Sequence, residues 1–105
     1  MNFNTLKNLI SSHTEWELES ITSNQDSILF SLTLPNGLEV LADFSVRSNG
    51  IISNIEVRKF DYETQEEDIL VEGNDAFSKN DDDLEMTLFT WLKKQVQYGL
   101  EEIQG

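Results

Sequence analysis

The sequence predicts an α+β fold: a single small domain with an N-terminal helix, an antiparallel β-meander of three to five strands, and a long C-terminal helix packed on the sheet. Three observations predict it. Apolar residues recur at helical spacing at both ends of the chain, they alternate with polar residues in the middle, and turn-forming residues interrupt the alternation. At 105 residues, of which 38% are hydrophobic, the chain fits one domain with a modest core.

The first predicted element is a short amphipathic helix over Phe3–Ser12, because its apolar residues recur at spacings of three and four. Asn2 or Asn4 is available as its N-cap. The single histidine, His13, follows the last helical turn, where a protonated imidazole would complement the helix dipole. No second histidine or cysteine accompanies it at metal-ligand spacing, so we expect no catalytic or metal role for it.

The middle of the chain is predicted to form strands joined by tight turns. Pro35-Asn36-Gly37 suits one turn, and Asn49-Gly50 suits a two-residue type I′ hairpin. Ile69–Val71 is predicted as a short additional edge strand, and residues 72–83 as a loop. The four main strands are predicted over residues 14–21, 28–34, 38–46 and 51–60.

The last predicted element is a helix from Leu84 to about Tyr98, ending at Gly99 as a C-terminal cap. Its apolar positions cover an arc of roughly 180°, which is wider than packing on one sheet requires. Two interpretations are open. The helix lies in a groove between the sheet and the N-terminal helix, or Met86, Trp91 and Tyr98 form a patch for a second copy or a partner.

Negative charge is the most unusual global feature. The chain has 20 acidic and 7 basic residues, a net charge of -13, and residues 61–85 contain eleven of the acids with a single lysine, Lys79. Direct binding to nucleic acid or to anionic membranes is disfavoured, because both need clustered lysine and arginine. A concentrated negative field instead attracts cationic protein surfaces, although it would also simply keep a small protein soluble.

The sequence lacks the motifs of most catalytic sites. There is no cysteine, one histidine, and no glycine-rich phosphate loop, since the five glycines are dispersed. The acidic segments do not have the order of a calcium-binding loop, and consecutive aspartates do not converge easily on one ion. We therefore expect a non-enzymatic protein with no cofactor and no metal. The absence of a leader or of a long apolar run predicts a cytoplasmic protein that does not enter membranes.

The stretch NDDDLEM, residues 80–86, has a structural explanation that covers part of its charge. Asn80, Asp81 or Asp82 can cap the last helix, and Asp82 with Glu85 has capping-box spacing. Capping uses one or two acids, whereas this quarter of the chain carries eleven. The surplus favours a role in binding.

The sequence thus predicts a non-enzymatic acidic protein that blocks a basic, nucleic-acid-binding surface of a partner protein, such as a nuclease, by presenting carboxylates in place of phosphates. Phage-encoded inhibitors of defence systems and immunity proteins against nuclease toxins follow that logic, and the analogy is one of size and charge alone. The alternative is a small acidic chaperone or adaptor, monomeric or homodimeric, that holds an apolar segment of a client. The predicted partner-binding residues are Asp61, Tyr62, Glu63, Glu66, Glu67, Asp68, Phe77, Asp81, Asp82 and Asp83.

Overall fold

The computed structural model describes residues 2–12, 16–34, 37–80 and 82–104. The predictions for His13, for the turn residues Pro35 and Asn36, and for Asp81 lie outside the described residues. The elements in chain order are α1 (Phe3–Ser12), β1 (Glu17–Ser23), β2 (Ser27–Thr33), β3 (Leu38–Arg47), β4 (Gly50–Asp61), β5 (Glu66–Phe77) and α2 (Leu84–Gln104).

Asn2, one of the two predicted N-cap residues, caps α1. Its Oδ1 accepts a hydrogen bond from the backbone N–H of Thr5 at 3.1 Å, and its carbonyl accepts one from the N–H of Leu6 at 3.2 Å. Leu6 and Ile10 are fully buried on the inner face of the helix. The predicted amphipathic helix is therefore confirmed with its predicted bounds.

The five strands form one antiparallel sheet in the order β1-β2-β3-β4-β5, so the predicted meander is confirmed at its upper limit of five strands. Alternation sets the faces: in β2 and β3, Phe30, Val40 and Phe44 are buried on the inner face, while Glu39 points to the other. The predicted bounds of β1 to β4 agree with the observed ones to within three residues.

The last strand is much longer than predicted. β5 runs from Glu66 to Phe77 and pairs with β4 along its whole length, from Asp61↔Glu66 to Ile51↔Phe77. The prediction of a loop over residues 72–83 is therefore wrong for its first half. Gly, Asn and Asp at positions 73–75 read as loop residues by propensity, but pairing with a long, well-formed neighbour overrides that preference.

The turn between β3 and β4 differs from the predicted type. Ser48 and Asn49 form the two-residue loop, and Gly50 already pairs with Arg47 in the ladder. Neither loop residue has positive φ, so the turn is not type I′. Gly50 is required for a different reason: a Cβ there would lie 2.2 Å from the carbonyl oxygen of Phe77 in the neighbouring strand.

Both helices lie on the inner face of the sheet, and α2 contacts β4, β5 and α1. Leu88, Phe89 and Leu92 of α2 are buried, and Trp91 packs edge-on against Phe44 and Phe77 with ring centroids 6.1 and 6.0 Å apart. Packing between the sheet and α1 thus accounts for most of the wide apolar arc, whereas Met86 and Tyr98 are exposed. The outer face of the sheet has no described helix on it.

The C-terminal helix does not end at Gly99. It continues to Gln104, and Gly99 lies inside it, buried against the sheet. The prediction of a C-terminal cap at this glycine is wrong, because the missing side chain serves helix-to-sheet packing. Neither described helix combines the length and apolar character that crossing a bilayer requires.

Candidate functional site

The β4–β5 hairpin projects beyond the rest of the sheet. The last residue pair between β3 and β4 is Leu38↔Lys59, whereas the pairing of β4 with β5 continues to Asp61↔Glu66. Residues 60–67 therefore form a two-stranded protrusion, and we call them, together with Asp68 at its base, the hairpin tip. It accounts for part of the elongated shape of the molecule, whose principal extents are 45, 22 and 21 Å.

The turn at the hairpin tip is held by Asp61. Its Oδ1 accepts a hydrogen bond from the backbone N–H of Glu63 at 2.9 Å, and its carbonyl accepts one from the N–H of Gln65 at 2.7 Å. Gln65 has a φ of 58°, in the left-handed region that non-glycine residues rarely occupy. One of the predicted binding residues therefore also organises the turn that presents the others.

Tyr62 is the most exposed large apolar side chain at the hairpin tip. It is 84% exposed, and its ring lies edge-on to Phe60 with centroids 4.8 Å apart. An aromatic ring on a turn, supported from one side by a second ring, is suited to insertion into a pocket of a partner. The predicted role of Tyr62 as an apolar anchor has a suitable position, although contact with a partner is untested.

Exposed carboxylates lie on the same hairpin tip as this ring. The hairpin tip carries them at Asp61, Glu63, Glu66, Glu67 and Asp68, all in exposed residues. Lys59 lies opposite Asp68 in the ladder. Arg58 is engaged by acids: its Nε donates to Glu56 Oε1 and its Nη1 to Glu67 Oε2 at 3.4 Å.

Glu56 dominates the electrostatic setting of Arg58. The hydrogen bond from Arg58 to Glu56 raises the pKa of the guanidinium above its ordinary value, against a smaller opposing effect of burial. The arginine is therefore a fixed cation that neutralises part of the charge at the base of the hairpin tip. Its two ion pairs within the described part of the chain are with Glu56 and Glu67.

The structure separates the predicted site into two places. Phe77 is the last residue of β5, about 35 Å of strand away from Glu66, and Asp82 and Asp83 follow it in the chain. Phe77 is half-buried against Trp91 and belongs to the inner packing. The acidic field that is continuous in the sequence from Asp61 is thus divided by a strand.

The acids before α2 have structural roles that differ from those predicted. The carbonyl of Asp83 accepts the N–H of Thr87 at 2.9 Å, which places Asp83 at the N-cap, after Asn80 and Asp82. Glu85 does not reach back to Asp82. Its Oε1 accepts the backbone N–H of Asn2 at 2.7 Å, which ties the start of α1 to the start of α2.

That tether changes the acidity of Glu85. Hydrogen bonding from the backbone N–H of Asn2 stabilises the charged form and lowers the pKa of the carboxyl below its ordinary value. Capping-box spacing alone indicated a local role for Glu85. The contact it makes is between residues 83 positions apart, and no local sequence signal indicates it.

The remaining acids of the segment line β5, which is an edge strand. Glu72 and Asp75 are exposed between the two ends of the strand, and Asp75 Oδ1 accepts the backbone N–H of Ala76 at 2.9 Å. Charged side chains along an edge prevent pairing with a strand of another molecule. This explains some of the acids on β5 without reference to a partner, but not those of the turn.

A second surface was not predicted as a site. On the outer face of the sheet an open concavity of about 660 Å³ is lined by leucines, carboxylates and amides. Two signals pointed to it: Asp43 alternates outward, and Leu41 interrupts the polar side of β3. Among the described residues, no three histidine or acidic side chains lie close enough together to hold a metal ion.

Comparisons of the chain with models of protein families, with curated proteins and with solved structures each find no match.

Proposed function

We propose that the protein is a non-enzymatic acidic binding protein that blocks a basic, nucleic-acid-binding surface of a partner protein. One observation carries the proposal: the hairpin tip presents an exposed tyrosine among five exposed carboxylates on a narrow protrusion. Such a protrusion can enter a cleft that a flat acidic surface could not. Inhibitors of nucleases and immunity-type proteins, including phage-encoded ones, are the functional classes that this geometry suits.

The charge density of the hairpin tip supports the proposal. Its five carboxylates are spread over about three residues of strand and a turn, or roughly 10 Å. Duplex DNA carries about one charge per 1.7 Å of axis, or roughly six over the same length. Because Glu67 is paired with Arg58, a cleft that attracts a nucleic-acid backbone would meet four carboxylates here that have no ion pair among the described residues, a density of negative charge somewhat below that of the duplex.

Because β5 separates the two ends of the acidic segment, we restrict the proposed contact surface to the hairpin tip. Asp61, Tyr62, Glu63, Glu66, Glu67 and Asp68 lie together, so we assign contact with the partner to them. Asp82 and Asp83 lie beyond the far end of β5 and Phe77 is packed inside. A partner of ordinary size would contact one end of the molecule without the other.

The test compares two variants with the same change of charge. Glu63→Lys with Glu66→Lys reverses two acids of the hairpin tip, and Asp26→Lys with Asp82→Lys reverses two exposed acids at the other end of the sheet. Each variant and the unmodified chain are used for affinity capture from a cell lysate, at about 50 and about 500 mM salt. Captured proteins are purified and assayed for nucleic-acid binding with and without the chain.

The proposal expects a captured protein whose nucleic-acid binding the unmodified chain blocks competitively. We expect the block to be lost at high salt and in the hairpin-tip variant, and to be retained in the far-end variant. The reason is that salt screens, and the hairpin-tip variant reverses, the charges at the proposed contact, whereas the far-end variant leaves them in place. A hairpin-tip variant that captures and blocks as well as the unmodified chain would contradict the proposal. So would equal losses in both variants, since these would reflect net charge alone.

A further inference from the structure

The outer face of the sheet is apolar in places where a solvated face is ordinarily polar. Leu29 is 40% exposed, Ile52 37% and Ile69 54%, and Leu41 is half-buried beside them. In an antiparallel sheet with one wet face, outward positions are normally polar. Here leucine and isoleucine interrupt that pattern on four of the five strands, β2 to β5.

The register brings apolar and acidic side chains of this face together. Leu29 lies opposite Asp43, and Leu41 lies opposite Glu56, which in turn lies opposite Glu72. Together with two amide side chains these residues line the concavity of about 660 Å³. We call the following set the open face: Leu29, Leu41, Asp43, Asn54, Glu56, Glu72 and Asn74.

The charges of the open face are only partly compensated. Arg58 is paired with Glu56, and no salt bridge joins Asp43 or Glu72 to a base among the described residues. By strand spacing, the carboxylates of Asp43 and Glu72 stand two strands apart, about 10 Å across the concavity. The register places Asp43, Glu56 and Glu72 on the same side of the line from Leu29 to Leu41, toward β5, so a ligand on the leucines would meet negative charge along one flank.

Charge decides among the possible occupants of this surface. A second copy of the chain would bring the same carboxylates against each other, and each copy carries a net charge of -13. Nucleic acid and anionic lipid are repelled for the same reason. The chemistry that fits is an apolar strip flanked by lysine or arginine, which amphipathic basic helices present at spacings of three and four.

The dimensions of the open face match one helix. Four strands at about 4.8 Å spacing give a surface about 15 Å across, and a helix with its side chains is about 10 to 12 Å wide. The open concavity lies along this part of the twisted sheet. One helix can therefore place its apolar strip on the leucines and one basic flank beside Asp43 and Glu72.

We infer that the open face is a docking surface for a basic amphipathic helix of a partner protein. The leucines bury the apolar strip of the helix, and the carboxylates along one flank bind its lysine or arginine side chains. This inference does not depend on the proposed role of the hairpin tip, because the two surfaces share no residue. A partner that binds both surfaces would contact the hairpin tip with a basic cleft and the open face with a helix.

The experiment titrates the isotope-labelled full chain with a synthetic amphipathic helix of about 18 residues, made of leucine and lysine, at about 150 mM salt. A peptide of the same composition with a scrambled sequence is the matched control. Amide chemical shifts are expected to change around Leu29, Leu41 and Asn54 and to saturate with one peptide per chain. We expect the scrambled peptide to bind at least about 10-fold more weakly, because it cannot bury an apolar strip.

Variants separate the two parts of the surface. Leu29→Ser with Leu41→Ser removes the apolar floor, and Asp43→Asn with Glu72→Gln removes two charges at nearly constant shape. We expect each pair to weaken binding of the amphipathic peptide by about 10-fold or more. Glu101→Gln with Glu102→Gln makes the same charge change in exposed residues of α2, on the other layer, and is expected to change binding by less than about 2-fold.

Three outcomes would overturn the inference: shift changes confined to the hairpin tip or α2, equal binding of the scrambled peptide, or equal effects of the open-face and α2 variants. Loss of peptide binding in Glu63→Lys with Glu66→Lys, but not in the open-face variants, would also overturn it. That last result would leave the proposed function of the hairpin tip standing. Conversely, retained peptide binding in the hairpin-tip variant, with failure of the capture experiment, would reject the proposed function alone.

Discussion

Gly99 of α2 lies directly against Val57 of β4. A Cβ on Gly99 would lie 2.8 Å from Cγ1 and 3.4 Å from Cβ of Val57, with Val71 of β5 3.7 Å away. Valine has little rotameric freedom and Val57 is fully buried, so it cannot move aside. The helix therefore approaches the sheet at this point only because residue 99 has no side chain.

Gly99→Ala is expected to destabilise the protein by about 1 kcal/mol. Alanine favours the helix by about 1 kcal/mol over glycine, but overpacking a core contact costs about 1 to 3 kcal/mol and outweighs that gain. In a Val57→Ala background, where Cγ1 is absent, the same change is expected to be neutral or stabilising. Urea unfolding of the four proteins in this cycle measures the coupling, and equal effects of Gly99→Ala in both backgrounds would contradict the contact.

The contrast between Gly99 and Leu88 illustrates what the sequence could predict. Leu88 is buried as its place in the apolar arc predicts, because 3.6-residue periodicity is a local signal. Gly99 was interpreted as a cap, because its packing role depends on a valine 42 positions earlier in the chain. The same reason explains β5: its loop-like residues 73–75 are held extended by β4, a partner that local propensity does not include.

The sequence predicts which acidic residues form the candidate site, but not how far apart they lie in the folded protein. Asp61 to Asp68 are consecutive in a hairpin, so residues close in sequence are also close in space. Asp82 follows β5, and a strand of 12 residues carries the chain about 35 Å before that point. The open face was missed because Leu29, Asp43 and Glu72 come from three strands, and only the register brings them together.

The tether between Glu85 and Asn2 makes stability depend on pH. The pKa of Glu85 is lower in the folded protein than in the unfolded chain, where it is about 4.3. Its contribution is therefore fully present above that value and is lost as the pH falls through the folded pKa. Glu85→Gln is expected to reduce stability at neutral pH and to flatten its decline between about pH 5 and pH 3.

Denaturant midpoints of the unmodified chain and of Glu85→Gln over that pH range provide the measurement. Glu102→Gln, in an exposed residue of the same helix, is the matched control. Parallel pH profiles for the unmodified chain and Glu85→Gln would show that the hydrogen bond to Asn2 does not stabilise the fold.

Gln65→Gly is expected to stabilise the protein by about 0.5 to 1 kcal/mol. Gln65 has a φ of 58°, and a left-handed conformation costs a non-glycine residue about 1 to 2 kcal/mol. Glycine removes this cost, but it loses more conformational entropy on folding, which offsets part of the gain. Thermal unfolding measures the change, with Gln97→Gly at an exposed helical position as a control that should destabilise. A lower melting temperature for Gln65→Gly would show that the turn is not strained.

Substitutions on α2 separate its packing from the predicted patch for a second copy or client. Trp91→Ala is expected to cost about 3 kcal/mol or more, because its ring packs between Phe44 and Phe77. Met86 and Tyr98 are 47% and 44% exposed, so Met86→Lys with Tyr98→Lys is expected to leave stability within about 1 kcal/mol. Light scattering then tests the adaptor hypothesis: a dimer that this double variant dissociates would support it over the blocking function.

Glu63 and Glu66 of the hairpin tip are expected to reduce the stability of the fold. Asp61 differs because it holds the turn, and Glu67 differs because it pairs with Arg58. Five like charges on one short hairpin repel each other, and folding holds them closer together than the unfolded chain does. Glu63→Lys with Glu66→Lys should therefore raise the urea midpoint of unfolding at about 20 mM salt. The increase should be smaller at about 500 mM salt, because salt screens the repulsion that the substitutions remove. Asp26→Lys with Asp82→Lys should raise it less, because Asp26 has no acidic neighbour in the sequence and Asp82 lies at the N-terminal end of α2, where a negative charge stabilises the helix. A hairpin-tip variant that is less stable than the unmodified chain at low salt would show that these carboxylates serve the fold, and would remove the reason to assign them to a partner.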